Sequence, residues 1–172
     1  GTLFNMGLTY LEMKSINEAQ KTADRLKEMI EQAMNKKLIG NYYALMGMIE
    51  LEKNNYSKAI EFFKKGLPML SATSSLHLPR ADSTGLAYYK AGDLENARRE
   101  YERVISLTTG RQSFGDLYAK SFYMLGIIYE QQDSRGKAKE NYEIFLELWK
   151  NADPGIPEVD DARKRLAGLK SP

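Results

Sequence analysis

The chain of 172 residues has no cysteine, a single histidine, one tryptophan and five prolines. Without cysteine there is no disulfide, no thiol nucleophile and no cysteine-based zinc site. One histidine excludes any internal site that needs two imidazoles. Charge of one sign is also scarce, since 25 Lys and Arg stand against 23 Asp and Glu for a net +2. That balance argues against a nucleic-acid binder held on by its overall field. The longest mostly apolar run, Tyr42 to Ile49, falls far short of the roughly 20 residues that span a bilayer. No basic stretch leads into an apolar run, so no signal peptide is visible. The missing cysteines fit a reducing compartment, and a cytoplasmic location is the expectation. No strand candidate is present either. The hydrophobic share, 42%, is that of a folded globular chain.

The informative feature is repetition. Gly7, Gly47, Gly85 and Gly126 each precede an alanine by twelve residues, namely Ala19, Ala59, Ala97 and Ala138. The glycines lie 40, 38 and 41 residues apart. Three positions after the glycine stand Tyr10, Glu50, Tyr88 and Tyr129, and four after the alanine stand Ala23, Phe63, Tyr101 and Tyr142. Within each unit the apolar residues recur with a period near 3.6, which specifies helices. Small residues at fixed places suit close helix crossings, with an aromatic ring filling the space beside them. Ser15 with Glu18 reads as a capping box. Asn54-Asn55, Gly92-Asp93 and Asp133-Ser134 read as the end of one helix and the cap of the next. Pro79 and Pro157 suit the first turn of a helix. Helices are expected over 2–14, 16–36, 39–53, 56–70, 79–91, 94–108, 114–132, 134–150 and 157–169. The links 71–78, with His77, and 108–113, with Gly110, are the longest.

This pattern resembles the tetratricopeptide repeat, in which a Leu-Gly-x-x-Tyr core is followed by Ala-x-x-x-Phe and a closing proline. Leu125-Gly126-Ile127-Ile128-Tyr129 with Ala138 and Tyr142, and Gly85 and Tyr88 with Ala97 and Tyr101, carry the likeness most clearly. It extends from residue 2 to about residue 152. The units here are longer than the family's and lack its closing proline. The resemblance implies an all-α fold: a right-handed superhelical solenoid of antiparallel helix pairs, with four units at about 1–38, 39–76, 77–111 and 112–152. Residues 153–172 are then a linker and a C-terminal capping helix, with Val159, Ala162, Leu166 and Leu169 on its apolar side. Phe145 to Pro154 also resembles the C-terminal end of repeat domains in large bacterial signalling proteins. The chain starts inside a helical pattern at Gly1-Thr2-Leu3-Phe4, and a piece of a longer chain is the expectation.

Function is then expected to be binding. On the first helix of each unit, the positions three before, one after and four after the glycine share a face. They are Phe4, Leu8 and Leu11; Ala44, Met48 and Leu51; Asp82, Leu86 and Tyr89; Tyr123, Ile127 and Glu130. In the resembled family this face lines the inner side of the superhelix and binds peptides. Here it is mostly apolar, which speaks against a carboxylate clamp and for an apolar segment such as an amphipathic helix. The expected groove is therefore Phe4, Leu8, Leu11, Ala44, Met48, Leu51, Leu86, Tyr89, Tyr123 and Ile127. Met6, Met13, Met46, Met48 and Met124 lend such a surface adaptability.

Chemical motifs are thin. No two glycines are spaced as G-x-G, and Gly136-Lys137 has no phosphate-loop context. His77 beside Ser74 and Ser75 reads as a solvated loop residue. Asp160-Asp161 suits a helix start. Glu50, Glu52 and Glu130 form no carboxylate pair for acid–base work. Arg98, Arg99 and Arg103, and Lys36, Lys37, Lys64 and Lys65, read as solvated outer faces. A protein or peptide partner is expected, with no cofactor, metal, nucleic acid, membrane or catalysis. Self-association through the apolar edge at Leu3, Met6 and Leu11 is the alternative.

Overall fold

In the computed structural model, which describes residues 2–34, 38–66, 69, 77–107 and 115–170, the amphipathic segments form helices as their period dictates. In chain order they are α1 (Thr2–Glu12), α2 (Ile16–Gln32), α3 (Ile39–Glu52), α4 (Tyr56–Gly66), α5 (His77–Lys90), α6 (Leu94–Ser106), α7 (Gly115–Gln131), α8 (Arg135–Leu148) and α9 (Pro157–Lys170). No strand occurs among the described residues. α5 starts at His77, two residues ahead of the expected Pro79. Lys36, Lys37, residues 71–76 and Gly110 lie outside the described residues.

The turns inside the repeats share one backbone geometry, and Ser15 and Ser134 do not add the side-chain caps the sequence suggests. Lys14, Asn54, Gly92 and Asp133, each seven residues after the repeat glycine, all have positive φ, between 55° and 80°. The next residue sends its N–H back five places: Ser15 to Tyr10, Asn55 to Glu50, Asp93 to Tyr88 and Ser134 to Tyr129, at 2.8–3.0 Å. This is a Schellman ending, repeated four times in register. The capping box is not formed. Neither Ser15 nor Ser134 makes a side-chain cap bond, and Glu18 instead accepts from Lys21 at 2.6 Å.

The chain forms two compact bodies, Gly1–Asp93 and Leu94–Pro172, with the division inside the third sequence unit. In the first, α1 pairs with α2 and α3 with α4, while α3 also packs on α1 and α2, and α5 packs on α3 and α4. Its core joins Phe4, Leu11, Ala23, Leu26, Ile30, Leu45 and Ile49. In the second, α6 packs on α7, α7 on α8, and α9 on α8. Tyr101, Val104, Leu125, Ile128, Tyr142 and Phe145 are fully buried there. Burial of each such side chain contributes about 1.5–3 kcal/mol, so packing between neighbouring helices outweighs any single polar contact.

The repeat glycines exist for contact. A Cβ on Gly47 would meet the Phe63 ring at 2.5 Å, and one on Gly126 would meet Tyr142 at 2.5 Å. Position four after the alanine thus fills the glycine notch, as expected. The first repeat differs, because that position is Ala23. The notch at Gly7 is filled instead by Leu45 from the following repeat, 2.5 Å from where a Cβ would stand.

Candidate functional site

The ten stripe residues fall into two groups by depth. Phe4, Leu11, Ala44 and Ile127 are buried, none more than 8% exposed. Phe4, Leu11 and Ala44 belong to the core of the first body, with Leu8 and Met48 half-buried against it. Met48 and Leu51 also pack on the Ala59, Phe63 and Ala87 cluster. Leu86 and Tyr89 are half-buried on α5, which rests on α3 and α4. The first body therefore joins Phe4, Leu8, Leu11, Ala44, Met48 and Leu51 into one apolar surface. Phe4, Leu11 and Ala44 are its buried members, and Leu8, Met48 and Leu51 are its half-buried ones. Lys14 and Glu52 bridge its polar margin at 2.9 Å.

In the second body the stripe on α7 is engaged with α9. The Tyr123 hydroxyl donates to Asp161 at 2.8 Å. Arg165 donates to Asp161 through Nε at 2.5 Å and to Glu130 through Nη1 at 3.0 Å. Glu130 also accepts from the buried Tyr142 hydroxyl at 2.8 Å. Burial works against ionised Asp161, yet its bonds from Arg165 and Tyr123 prevail and hold the carboxyl below its usual range. Burial, then the bond to Asp161, pushes the Tyr123 phenol up to about 12. Tyr142 is pushed up by burial and by Glu130. Sequence reasoning placed Tyr123, Glu130 and Tyr142 at the right repeat positions but missed this cluster. Its only local signal is the Asp161–Arg165 pair, four residues apart on one helix face.

The seams between repeats follow a second code. The residue seventeen after one glycine meets the residue three after the next. Glu102 accepts from the Tyr129 hydroxyl at 2.8 Å, and the Lys64 ammonium lies 5.9 Å from the Tyr88 ring centroid. Glu50 stands where other repeats have tyrosine. It is buried, 6% exposed, and accepts from Asn55 at 2.9 Å and Lys53 at 3.0 Å. Desolvation opposes its charge, but those donors hold its carboxyl below the usual range. Lys53 also donates to Gln20 of the preceding repeat at 3.2 Å.

The arginine cluster and Lys65 are paired locally. Arg98 pairs with Glu95 and Glu102, Arg99 with Glu95, Arg103 with Glu100 and Lys65 with Glu61. Among the described residues no three His, Asp or Glu side chains gather to hold a metal, and no helix is long and apolar enough to cross a membrane.

Helix pairs in a constant register, closed by identical turns and locked at a glycine notch, define a helical-repeat protein. The chain carries tetratricopeptide repeats. Sequence profiles of the tetratricopeptide repeat match residues 40–67 and 119–148, and a second such profile matches 83–107. The chain is 28% identical over 170 residues to the Intraflagellar transport protein 88 homolog of Homo sapiens, covering 95% of this chain and 19% of that protein. It thus spans about a fifth of that relative. In fold it is similar to BtubC (BKLC) from P. vanneervenii, with TM-score 0.74, 15% identity and coverage of 95% of this chain and 68% of that one. It is also similar to MamA, with TM-score 0.66, 20% identity and coverage of 87% and 78%. Its repeats support a scaffold role in protein–protein interaction.

Proposed function

We propose that the chain binds a partner peptide, without catalysis, by laying an amphipathic helix on the apolar surface of α1, α3 and α5. The observation that carries this reading is the continuous surface of Leu8, Met48 and Leu51 on a buried floor of Phe4, Leu11 and Ala44. Leu86 and Tyr89 extend it on α5, and Tyr123 and Ile127 are its counterparts on α7. A rigid floor under adaptable Met and Leu side chains suits a helix that presents apolar residues at every third or fourth position. The net charge of +2 supports recognition by apolar contact over attraction to a polyanion. A setting within a larger bacterial signalling protein is part of the proposal and rests on the likeness of Phe145 to Pro154 alone.

The test is a peptide or partner screen followed by Met48→Glu and Leu86→Glu. Each buries a carboxylate in the contact and should cost ten-fold or more in affinity, with the helical circular-dichroism signal unchanged. Binding indifferent to both removes the groove.

A second reading, self-association, is favoured by α1. Met6 is 39% exposed, whereas its equivalents Met46 and Leu125 are 8% and 1% exposed. Met6, Thr9 and Tyr10 help line an open cavity of about 580 Å³. Light scattering of the chain and of Met6→Glu decides: a dimer that Met6→Glu dissociates supports this reading, and a monomer at all concentrations removes it.

A further inference from the structure

α9 packs on α8 and is tied to α7 by polar contacts. Val159, Ala162 and Leu166 are its buried side chains. Around them Asp161 takes the Tyr123 hydroxyl, Arg165 bridges Asp161 and Glu130, and Glu158 meets Lys120 at 3.4 Å. The side chains of Arg165, Glu130 and Asp161 each stay about a third exposed, at 35%, 34% and 36%, so competing groups reach them. The stretch between α8 and α9 contains Pro154 and Gly155, the latter at φ +90°. Tyr123 and Glu130 are the positions three before and four after Gly126, the same positions as Phe4 and Leu11 of the first repeat. Asp161 and Arg165 of α9 thus bond to two stripe residues of the fourth repeat, while the helix itself packs on α8.

We propose that this stripe of α7 recognises a partner helix bearing an acidic residue and, four positions on, an arginine, and that α9 is its resident occupant, displaced when such a partner binds. The geometry states the code. The acid accepts the Tyr123 phenol. The planar guanidinium spans that acid and Glu130, which an ammonium on a lysine stem does not reproduce. Small or branched apolar residues two before, one after and five after the acid, as Val159, Ala162 and Leu166 stand to Asp161, fill the seam. The inference rests on reading the repeat stripe as a binding surface and carries that reading to the fourth repeat.

The test uses a fluorescent peptide with the sequence of residues 156–170. It is titrated by anisotropy into the full chain and into the chain carrying Asp161→Ala with Arg165→Ala. A tethered helix competes at an effective concentration near millimolar, so the substituted chain should bind the peptide at least ten-fold more tightly. The peptide carrying the same two substitutions should not bind. Equal affinity for both chains, or binding to neither, overturns the proposal. Should the substituted chain lose its helical signal, hydrogen exchange on the unsubstituted chain decides. Excess peptide should speed exchange of the α9 amides, and unchanged exchange overturns the proposal. Met48→Glu separates the two sites: it should leave this peptide's affinity intact, and loss of binding would place the peptide on the first body instead.

Discussion

The Tyr129 hydroxyl donates to Glu102 across 2.8 Å and so ties α7 to α6. The same carboxylate accepts from Arg98 at 2.7 Å. Tyr129→Phe removes one neutral donor and should cost about 1 kcal/mol in urea unfolding. Glu102→Ala leaves a largely buried phenol without its acceptor and should cost more, about 1–3 kcal/mol. The double substitution should cost less than the sum, because the second change removes a group already stranded.

Gly47→Ala and Gly126→Ala each place a methyl 2.5 Å from a ring carbon of Phe63 or Tyr142. Overpacking of this kind costs about 1–3 kcal/mol, read as a lower urea midpoint. Gly136→Ala is the counterpart. Its Cβ meets nothing within 4 Å, and it lies in α8, so it should stabilise by up to about 1 kcal/mol.

The four turns supply a test of backbone conformation. Gly92 has φ +80° with open space around it, so Gly92→Ala should cost about 1–2 kcal/mol through the left-handed conformation alone. Lys14 holds φ 56°, and Lys14→Gly should raise the melting temperature slightly, a gain under about 1 kcal/mol.

The α9 dock should fail at both ends of the pH range. Asp161 has a folded pKa below its ordinary 3.8, so its contribution is complete above that value and lost as pH falls through the lower folded one. Tyr123 is raised from 10.0 to about 12. Its contribution is complete below pH 10 and lost as pH rises towards 12. Exchange of the α9 amides, corrected for intrinsic rate, should accelerate in both windows. Tyr123→Phe should flatten the alkaline one.

Helices, repeat register and glycine notches were legible because each is set by residues near in sequence or at a fixed period. The turn positions were legible too, but their mechanism was not. Ser15 and Ser134 suggested side-chain caps, while the backbone at Lys14 and Asp133 makes the turn without them. The stripe was legible as a face, yet its depth was not. Phe4 and Ala44 share a register with Tyr123 and Asp82, and only packing between successive first helices sinks the former pair into the core. The Arg165 bridge was invisible, since Glu130 lies 35 residues away and outside any repeat spacing.

Leu45 over Gly7 has a kinetic consequence. The second repeat fills its notch with its own Phe63, so that hairpin can close by itself. The first leaves its glycine uncovered until α3 is in place, because the equivalent residue is Ala23. Structure should therefore spread from the second hairpin back to α1 and α2, and α1 should be the earliest element of its body to be lost under force applied at its N-terminal end.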